Sequence, residues 1–220
     1  MTRKEDDMQH VLYSGTCLSR VLLDTGKPKT RKALTCPSLF HGAIERSFEG
    51  PRKRRLWRID SINGKLYALI VSGEAPDLSG FASQFGFAED PSTCATKEYG
   101  PFLHRLEKGQ VWRFKVKANP VRGRSSGRGG KAHIGTEFQK RWLMDKAKEH
   151  GFALDEDAFD ITEREWISFR KNTGDAVSML AVTYEGVLTV TDPALFRSLL
   201  VNGLGREKAY GLGMMTIVRV

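Results

Sequence analysis

Arg54-Arg-Leu-Trp-Arg-Ile-Asp60-Ser-Ile-Asn63-Gly64-Lys65-Leu-Tyr-Ala-Leu-Ile-Val-Ser72 decides the fold. Two runs of alternating apolar residues, Arg54 to Asp60 and Lys65 to Ser72, meet across Asn63-Gly64, a dipeptide that accepts the positive φ angles of a tight hairpin turn. The stretch is therefore predicted to be a β-hairpin. Upstream, Cys17 to Leu23 reads as a strand, and Pro37 marks the start of a helix running from about Ser38 to Phe48. Downstream come a short helix near Leu78 to Phe85 and an extended stretch around Thr96. The resulting order is β-α-β-β-α-β, that of a ferredoxin-like unit.

The pattern then starts again. Val111 to Ala118 sets Trp112, Phe114 and Val116 on one strand face and Arg113, Lys115 and Lys117 on the other. A Gly/Arg/Ser loop, Arg122 to Lys131, leads to a helix opened by a Thr136/Gln139 capping box and closed at His150-Gly151, with Phe138, Trp142 and Leu143 as its apolar stripe. Acidic Leu154 to Asp160 reads as a loop, Trp166 to Arg170 as a strand, and Met179 to Val190 as a long strand bent near Gly186. Asp192-Pro193 opens a short helix to Val201, and Gly211 to Val220 closes as a strand. The predicted fold class is α+β: two tandem ferredoxin-like (RRM-like) domains at 17–105 and 106–220, behind a flexible extension at 1–16. Two domains of about 100 residues suit a chain of 220.

Composition narrows the class of function. Apolar residues make up 40% of the chain and charged residues 28%, ordinary for a globular protein and unlike a collagenous or wholly disordered one. No apolar run is long enough to span a bilayer, and Met1 to Asp7 is too charged for a secretory signal, so a cytoplasmic protein is expected. Cys17, Cys36 and Cys94 lack the paired spacing of a zinc site or redox dithiol and read as buried small hydrophobes. The net charge is +9, and its placement matters more than its size. Between Pro101 and His150 stand 13 Lys or Arg against 4 Asp or Glu, and no acidic residue lies between Lys108 and Thr136. Such a stripe is the footprint of a polyanion site, or else a solvated basic face.

Three stretches together resemble one family. Gly186-Val-Leu-Thr-Val-Thr-Asp-Pro followed by Gly203-Leu-Gly205-Arg-Glu-Lys208-Ala-Tyr-Gly211-Leu-Gly213 resembles the glycine-rich end of CasE-type CRISPR RNA endonucleases. Arg113-Phe-Lys-Val-Lys-Ala-Asn119-Pro120 resembles their mid-chain strand ending in Ala-Asn-Pro. Leu18-Ser-Arg-Val-Leu-Leu, followed by a helix carrying Phe40-His41, resembles their opening strand and histidine-bearing helix. The resemblance covers roughly Cys17 to Val220, and it departs at two points. A tyrosine often found three residues before the family's histidine is Ser38 here, and a frequent Gly-Cys-Gly is Gly211-Leu212-Gly213. The resemblance implies two ferredoxin-like domains of the RAMP type and cleavage of a CRISPR repeat RNA hairpin at its base. It also implies that the enzyme stays on its product among the other subunits of the type I-E complex Cascade. No cofactor or metal is expected, and the free protein is expected to be a monomer.

Cutting RNA without a metal uses the substrate's own 2′-hydroxyl as nucleophile, which needs a base for its proton and an acid for the leaving 5′-oxygen. Histidine titrates nearest neutrality and suits either role. On the predicted helix, Leu39, Phe40, Ala43, Ile44 and Phe48 form one stripe, and Ser38, His41 and Glu45 lie beside it, placing His41 on the polar margin. With the resemblance, His41 is the candidate catalytic residue. Glu45 either orients the imidazole or raises its pKa, or makes an ordinary i, i+4 pair. Ser38 either supplies a hydroxyl where relatives have a phenol or simply starts the helix.

Gly203-x-Gly205 runs from helix into strand, the reverse of a dinucleotide loop, so that reading fails. What remains is a loop with exposed N–H groups and two cations, Arg206 and Lys208, suited to phosphate. In the family this loop contacts the repeat RNA, and its lysine matches Lys208, which the resemblance adds to the catalytic candidates. Arg113, Lys115, Lys117, Asn119, Arg122, Arg124 and Arg128 would then follow the hairpin, chiefly through phosphates and shape, because side chains cannot readily enter the deep A-form major groove. The Arg/Gly/Ser loop is alternatively a disordered linker. Asp155, Glu156, Asp157 and Asp160 read as an acidic surface loop and not as metal ligands. The competing function is a non-catalytic RNA-binding subunit of a ribonucleoprotein, separable by asking whether tight binding occurs without cleavage.

Overall fold

The first half follows the predicted strand order but holds more helix than the sequence suggests. The computed structural model describes residues 13–122, 131–132, 135–171 and 174–220. These divide into two compact units: the residues up to Arg105 with Ala209–Gly211, and Leu106–Lys208 with Leu212–Val220. The first unit runs β1 (Cys17–Leu22), α1 (Pro28–Thr35), α2 (Ser38–Glu45), β2 (Arg55–Ile62), β3 (Lys65–Ser72), α3 (Ser79–Phe85), β4 (Cys94–Glu98) and α4 (Gly100–His104). Its sheet order, β2-β3-β1-β4 with every pair antiparallel, is ferredoxin-like. At the hairpin turn Asn63 and Gly64 take φ of 51° and 74°, as a type I′ turn requires.

Helix α1 escaped prediction because only Thr30 and Ala33 of its eight residues are buried, which leaves almost no apolar period to read. Helix α2 stops at Glu45, short of the predicted Phe48. Phe40 is wedged against Trp57, Phe81 and Phe85 at centroid distances of 5.8, 5.9 and 4.9 Å. Ala43 and Ile44 are buried beside it. Each large side chain so buried contributes about 1.5–3 kcal/mol, and together they fix the rotation of α2 about its axis.

The second unit runs β5 (Val111–Ala118), β6 (Val121–Arg122), β7 (Lys131–Ala132), α5 (Thr136–Glu149), β8 (Phe152–Ala153), β9 (Phe159–Arg170), β10 (Ala176–Val190), α6 (Pro193–Asn202) and β11 (Met215–Arg219). Its order, β11-β5-β10-β8 with β9 also on β10, repeats that of the first sheet. The counterpart of β2 is split into β8 and β9 around a short 3-10 turn at Glu156–Ala158. Asp192 caps α6 as predicted, its Oδ1 accepting from Ala194 N at 2.9 Å and Leu195 N at 3.1 Å.

Several local expectations need correction. The Thr136/Gln139 capping box does not form. Arg164 donates instead to Gln139 Oε1 at 2.8 Å and Thr136 Oγ1 at 2.9 Å, because a guanidinium is the stronger donor. Phe138, expected in the apolar stripe, is 59% exposed, while Trp142 and Leu143 are buried. The acidic Leu154 to Asp160 segment is not wholly loop, since β9 begins at Phe159 and extends well upstream of Trp166. The irregularity in β10 lies between Thr183 and Tyr184 and not at Gly186. Gly186 serves close approach: a Cβ there would collide with Ala158 O and the Phe159 Cβ. Cys17 is buried, Cys36 and Cys94 only half so, and all three are free thiols. No helix among the described residues is long and apolar enough to cross a membrane.

Candidate functional site

With α2 locked by Phe40, its polar margin carries His41, half-buried, under a cluster of opposite charges. The imidazole Nδ1 lies 3.9 Å from Glu45 Oε1, one helical turn on. Its Nε2 is 2.5 Å from a terminal nitrogen of Arg52. Glu45 Oε2 accepts from Arg52 Nε at 3.0 Å and from Arg55 at 2.8 Å. Arg55 also reaches Glu74 at 3.4 Å, and Lys53 donates to Glu74 at 2.8 Å. The Arg55 side chain is only 3% exposed, with its guanidinium 4.0 Å from the centroid of the Phe48 ring. Burial pushes the His41 pKa down. Glu45 opposes that shift, and the Arg52 and Arg55 cations reinforce it.

Ser38 opens α2, its Oγ 3.2 Å from the Cys36 sulfur. Arg52 and Arg55, which touch this cluster directly, were not singled out from the sequence. The available signal was the run Arg52-Lys53-Arg54-Arg55, shortly after the histidine helix and immediately before a strand. Reading that run only as the start of β2 hid it.

In the second unit the basic face of β5 is less open than its sequence suggests. Arg113 is exposed, but Lys115 pairs with Glu185 at 3.2 Å, and Lys117 pairs with Glu163 at 3.7 Å and closely with Glu165. Asn119 is 6% exposed, and its Oδ1 has no hydrogen-bond partner among the described residues. The backbone of Arg122 pairs with Lys131 across β6 and β7. Arg124 and Arg128 lie outside the described residues.

The glycine loop after α6 is tied back to this strand. Gly213 N donates to Lys117 O at 2.7 Å, and Leu204 N donates to Gly213 O at 2.8 Å. Arg206 is exposed. Lys208 donates to Gly205 O at 2.6 Å. Its ammonium, with that of Lys146, adds to the burial that lowers the His150 pKa, against the opposing charge of Glu149. Among the candidates, then, Ser38 and His41 share α2, while Arg206, Lys208 and the β5 residues share the second unit. Among the described residues no three of His, Cys, Asp and Glu gather as metal ligands would.

A sheet order repeated in both units, with a histidine cluster on one and a cation-bearing glycine loop on the other, defines an α+β protein of the tandem ferredoxin-like class. A family model described as CRISPR associated protein matches residues 17–219, and the chain belongs to that family of CRISPR-associated proteins. It is 28% identical over 216 residues to the CRISPR-associated endoribonuclease Cse3 of Thermus thermophilus, covering 91% of this chain and 98% of that protein. Its fold is similar to that of a CRISPR endoribonuclease Cse3 bound to a 19-nucleotide RNA, with a TM-score of 0.76, 25% identity, and coverage of 92% of this chain and 99% of the other. A Thermus thermophilus Cse3 bound to an RNA representing a pre-cleavage complex is similar at a TM-score of 0.78 and 24% identity, covering 93% and 99%.

Proposed function

We propose that this protein is a CRISPR RNA-processing endoribonuclease that cuts repeat RNA at the base of its hairpin without a metal, and that it stays on the product with the other subunits of type I-E Cascade. Membership of the family and the likeness to Cse3 support RNA cleavage. The assembly rests on the resemblance to the CasE family.

The observation that carries the chemistry is the contact between His41 Nε2 and the Arg52 guanidinium. A guanidinium has donors only, so the Arg52 contact makes Nε2 an acceptor and leaves the ring proton on Nδ1, toward Glu45. Once Arg52 gives way at Nε2, this is an imidazole that can take a proton. In the proposed step the 2′-hydroxyl gives its proton to Nε2 and the 2′-oxygen bonds to phosphorus. The bond from phosphorus to the 5′-oxygen then breaks, leaving a 2′,3′-cyclic phosphate and a 5′-oxygen that takes a proton from water. Ser38 is a candidate hydroxyl one turn before His41, and the 17–105 domain carries this chemistry.

Arg113, Lys115, Lys117, Asn119, Arg122, Arg124, Arg128, Arg206 and Lys208, on the 106–220 domain, hold the hairpin. For Lys115 and Lys117 this means exchanging carboxylates for phosphates. Lys208→Ala is expected to weaken binding and to lower the slope of log affinity against log salt by about one charge, roughly 0.7–0.9. An unchanged slope, read by titration at several salt concentrations, would remove Lys208 from the phosphate contacts.

The decisive test is cleavage in EDTA of a labelled RNA hairpin carrying a CRISPR repeat, with and without a 2′-deoxy at the scissile nucleotide. Cleavage is expected only of the all-ribose hairpin. Tight binding with no cutting would leave a structural RNA-binding subunit, and cutting that needs added magnesium would sink the chemistry.

A further inference from the structure

Arg52 occupies the place the substrate needs. Its terminal nitrogen is 2.5 Å from His41 Nε2, its Nε is held by Glu45 at 3.0 Å, and 69% of its side chain is exposed. It has no other partner among the described residues. Two neighbouring cations are committed: Arg55 is 3% exposed between Glu45, Glu74 and the Phe48 ring, and Lys53 is paired with Glu74.

Any role for Arg52 in the reaction rests on the proposed reading of His41 as the base. The attacking 2′-hydroxyl must come within about 2.6–3.2 Å of Nε2, and so must enter the position now filled by the Arg52 nitrogen. That hydroxyl belongs to the nucleotide whose 3′-phosphate it attacks, so the scissile phosphate arrives with it. A guanidinium displaced from Nε2 but still held through Nε by Glu45 remains beside that phosphate with its outer donors free. Its planar fork matches two phosphate oxygens.

We propose that Arg52 is a catalytic residue that leaves His41 Nε2 when RNA binds and grips the non-bridging oxygens of the scissile phosphate, with Glu45 as its tether. In the free protein the same guanidinium holds His41 in the tautomer that can act as base. On the RNA it stabilises the charge that builds on phosphorus as the 2′-oxygen attacks.

The test is single-turnover cleavage at saturating protein, using the all-ribose repeat hairpin and a version with sulfur in place of one non-bridging oxygen at the cut. Arg52→Ala is expected to slow the natural substrate by about 10²–10³, as removal of one preorganised donor does. Affinity for the 2′-deoxy hairpin should fall far less than the rate, and Arg52→Lys should recover part of the loss. The sulfur effect should shrink in Arg52→Ala, because both changes remove the same contact. A merely structural role would leave the two effects additive, which overturns the proposal, as does an Arg52→Ala rate within about threefold of wild type. His41→Ala is run in parallel. If it still cuts, the underlying reading of His41 fails, and if it is inactive while Arg52→Ala is active, only the role of Arg52 fails.

Discussion

His41→Ala is expected to slow single-turnover cleavage of a repeat hairpin by about 10²–10⁴-fold, the worth of a positioned general base, while affinity for a 2′-deoxy hairpin stays nearly unchanged. The small binding effect follows from the side chain's place on the margin of α2, where the packing is done by Phe40, Ala43 and Ile44. The pH profile separates chemistry from structure. Burial, with Arg52 and Arg55, lowers the His41 pKa against the opposing pull of Glu45, so the imidazole stays neutral below the usual histidine value of about 6.5. A base acts in its neutral form. At sub-saturating RNA, where the profile reports the groups of the free protein, the rate of the wild type should therefore fall as pH drops through a midpoint below that value and level off above it. His41→Ala should lose this limb along with most of the rate. A variant that keeps both would exclude His41 as the base.

Glu45→Ala has the second large effect expected, and here it falls on stability as well as rate. Glu45 is the common acceptor of Arg52 and Arg55, and the Arg55 side chain is 3% exposed against 19% for Glu45. Removing one partner of a fully buried ion pair costs about 3–5 kcal/mol. Partial exposure of Glu45, and the remaining Glu74 contact at 3.4 Å, bring the expectation to about 2–4 kcal/mol. Urea denaturation of the free protein measures it, and a loss under about 0.5 kcal/mol, the range of an ordinary surface substitution, would show that Glu74 alone satisfies Arg55. Glu45→Gln should cost less, since its amide oxygen still accepts a hydrogen bond. In Glu45→Gln the charge that raises the His41 pKa is gone while an amide oxygen still accepts from the two arginines. The rate limb should therefore move to lower pH, and a shift upward would contradict the arrangement.

The relation between the two residues means that single substitutions in this site do not act independently. Glu45 holds the guanidinium that faces Nε2 and the guanidinium buried under the helix, and it also meets Nδ1 at 3.9 Å. Cleavage by Glu45 variants is accordingly best compared where the protein is fully folded, at low temperature and saturating RNA. Groups sharing one network do not contribute additively.

By itself the sequence determined the order of elements in the first unit that makes it ferredoxin-like. Alternation and the Asn63-Gly64 turn are local signals, and the hairpin they specify has one register that buries Trp57 and Ile70. It also determined that His41 lies on the polar side of its helix, since the period of Phe40, Ala43 and Ile44 leaves no other face for the core. Helix α1 was hidden because its outward side is charged and its inward side nearly bare of apolar groups.

Only the tertiary structure decided which charges meet. The register that sets Lys115 opposite Glu185 on β10 turns an apparently open basic face into a largely paired one. The packing of α2 against β2 brings Arg55, and Arg52 just before that strand, onto Glu45 and His41. Hydrophobic periodicity reports what each segment buries. Partners of a charge depend on distances of a few ångströms between segments far apart in the chain, and these exist only once the cores have packed.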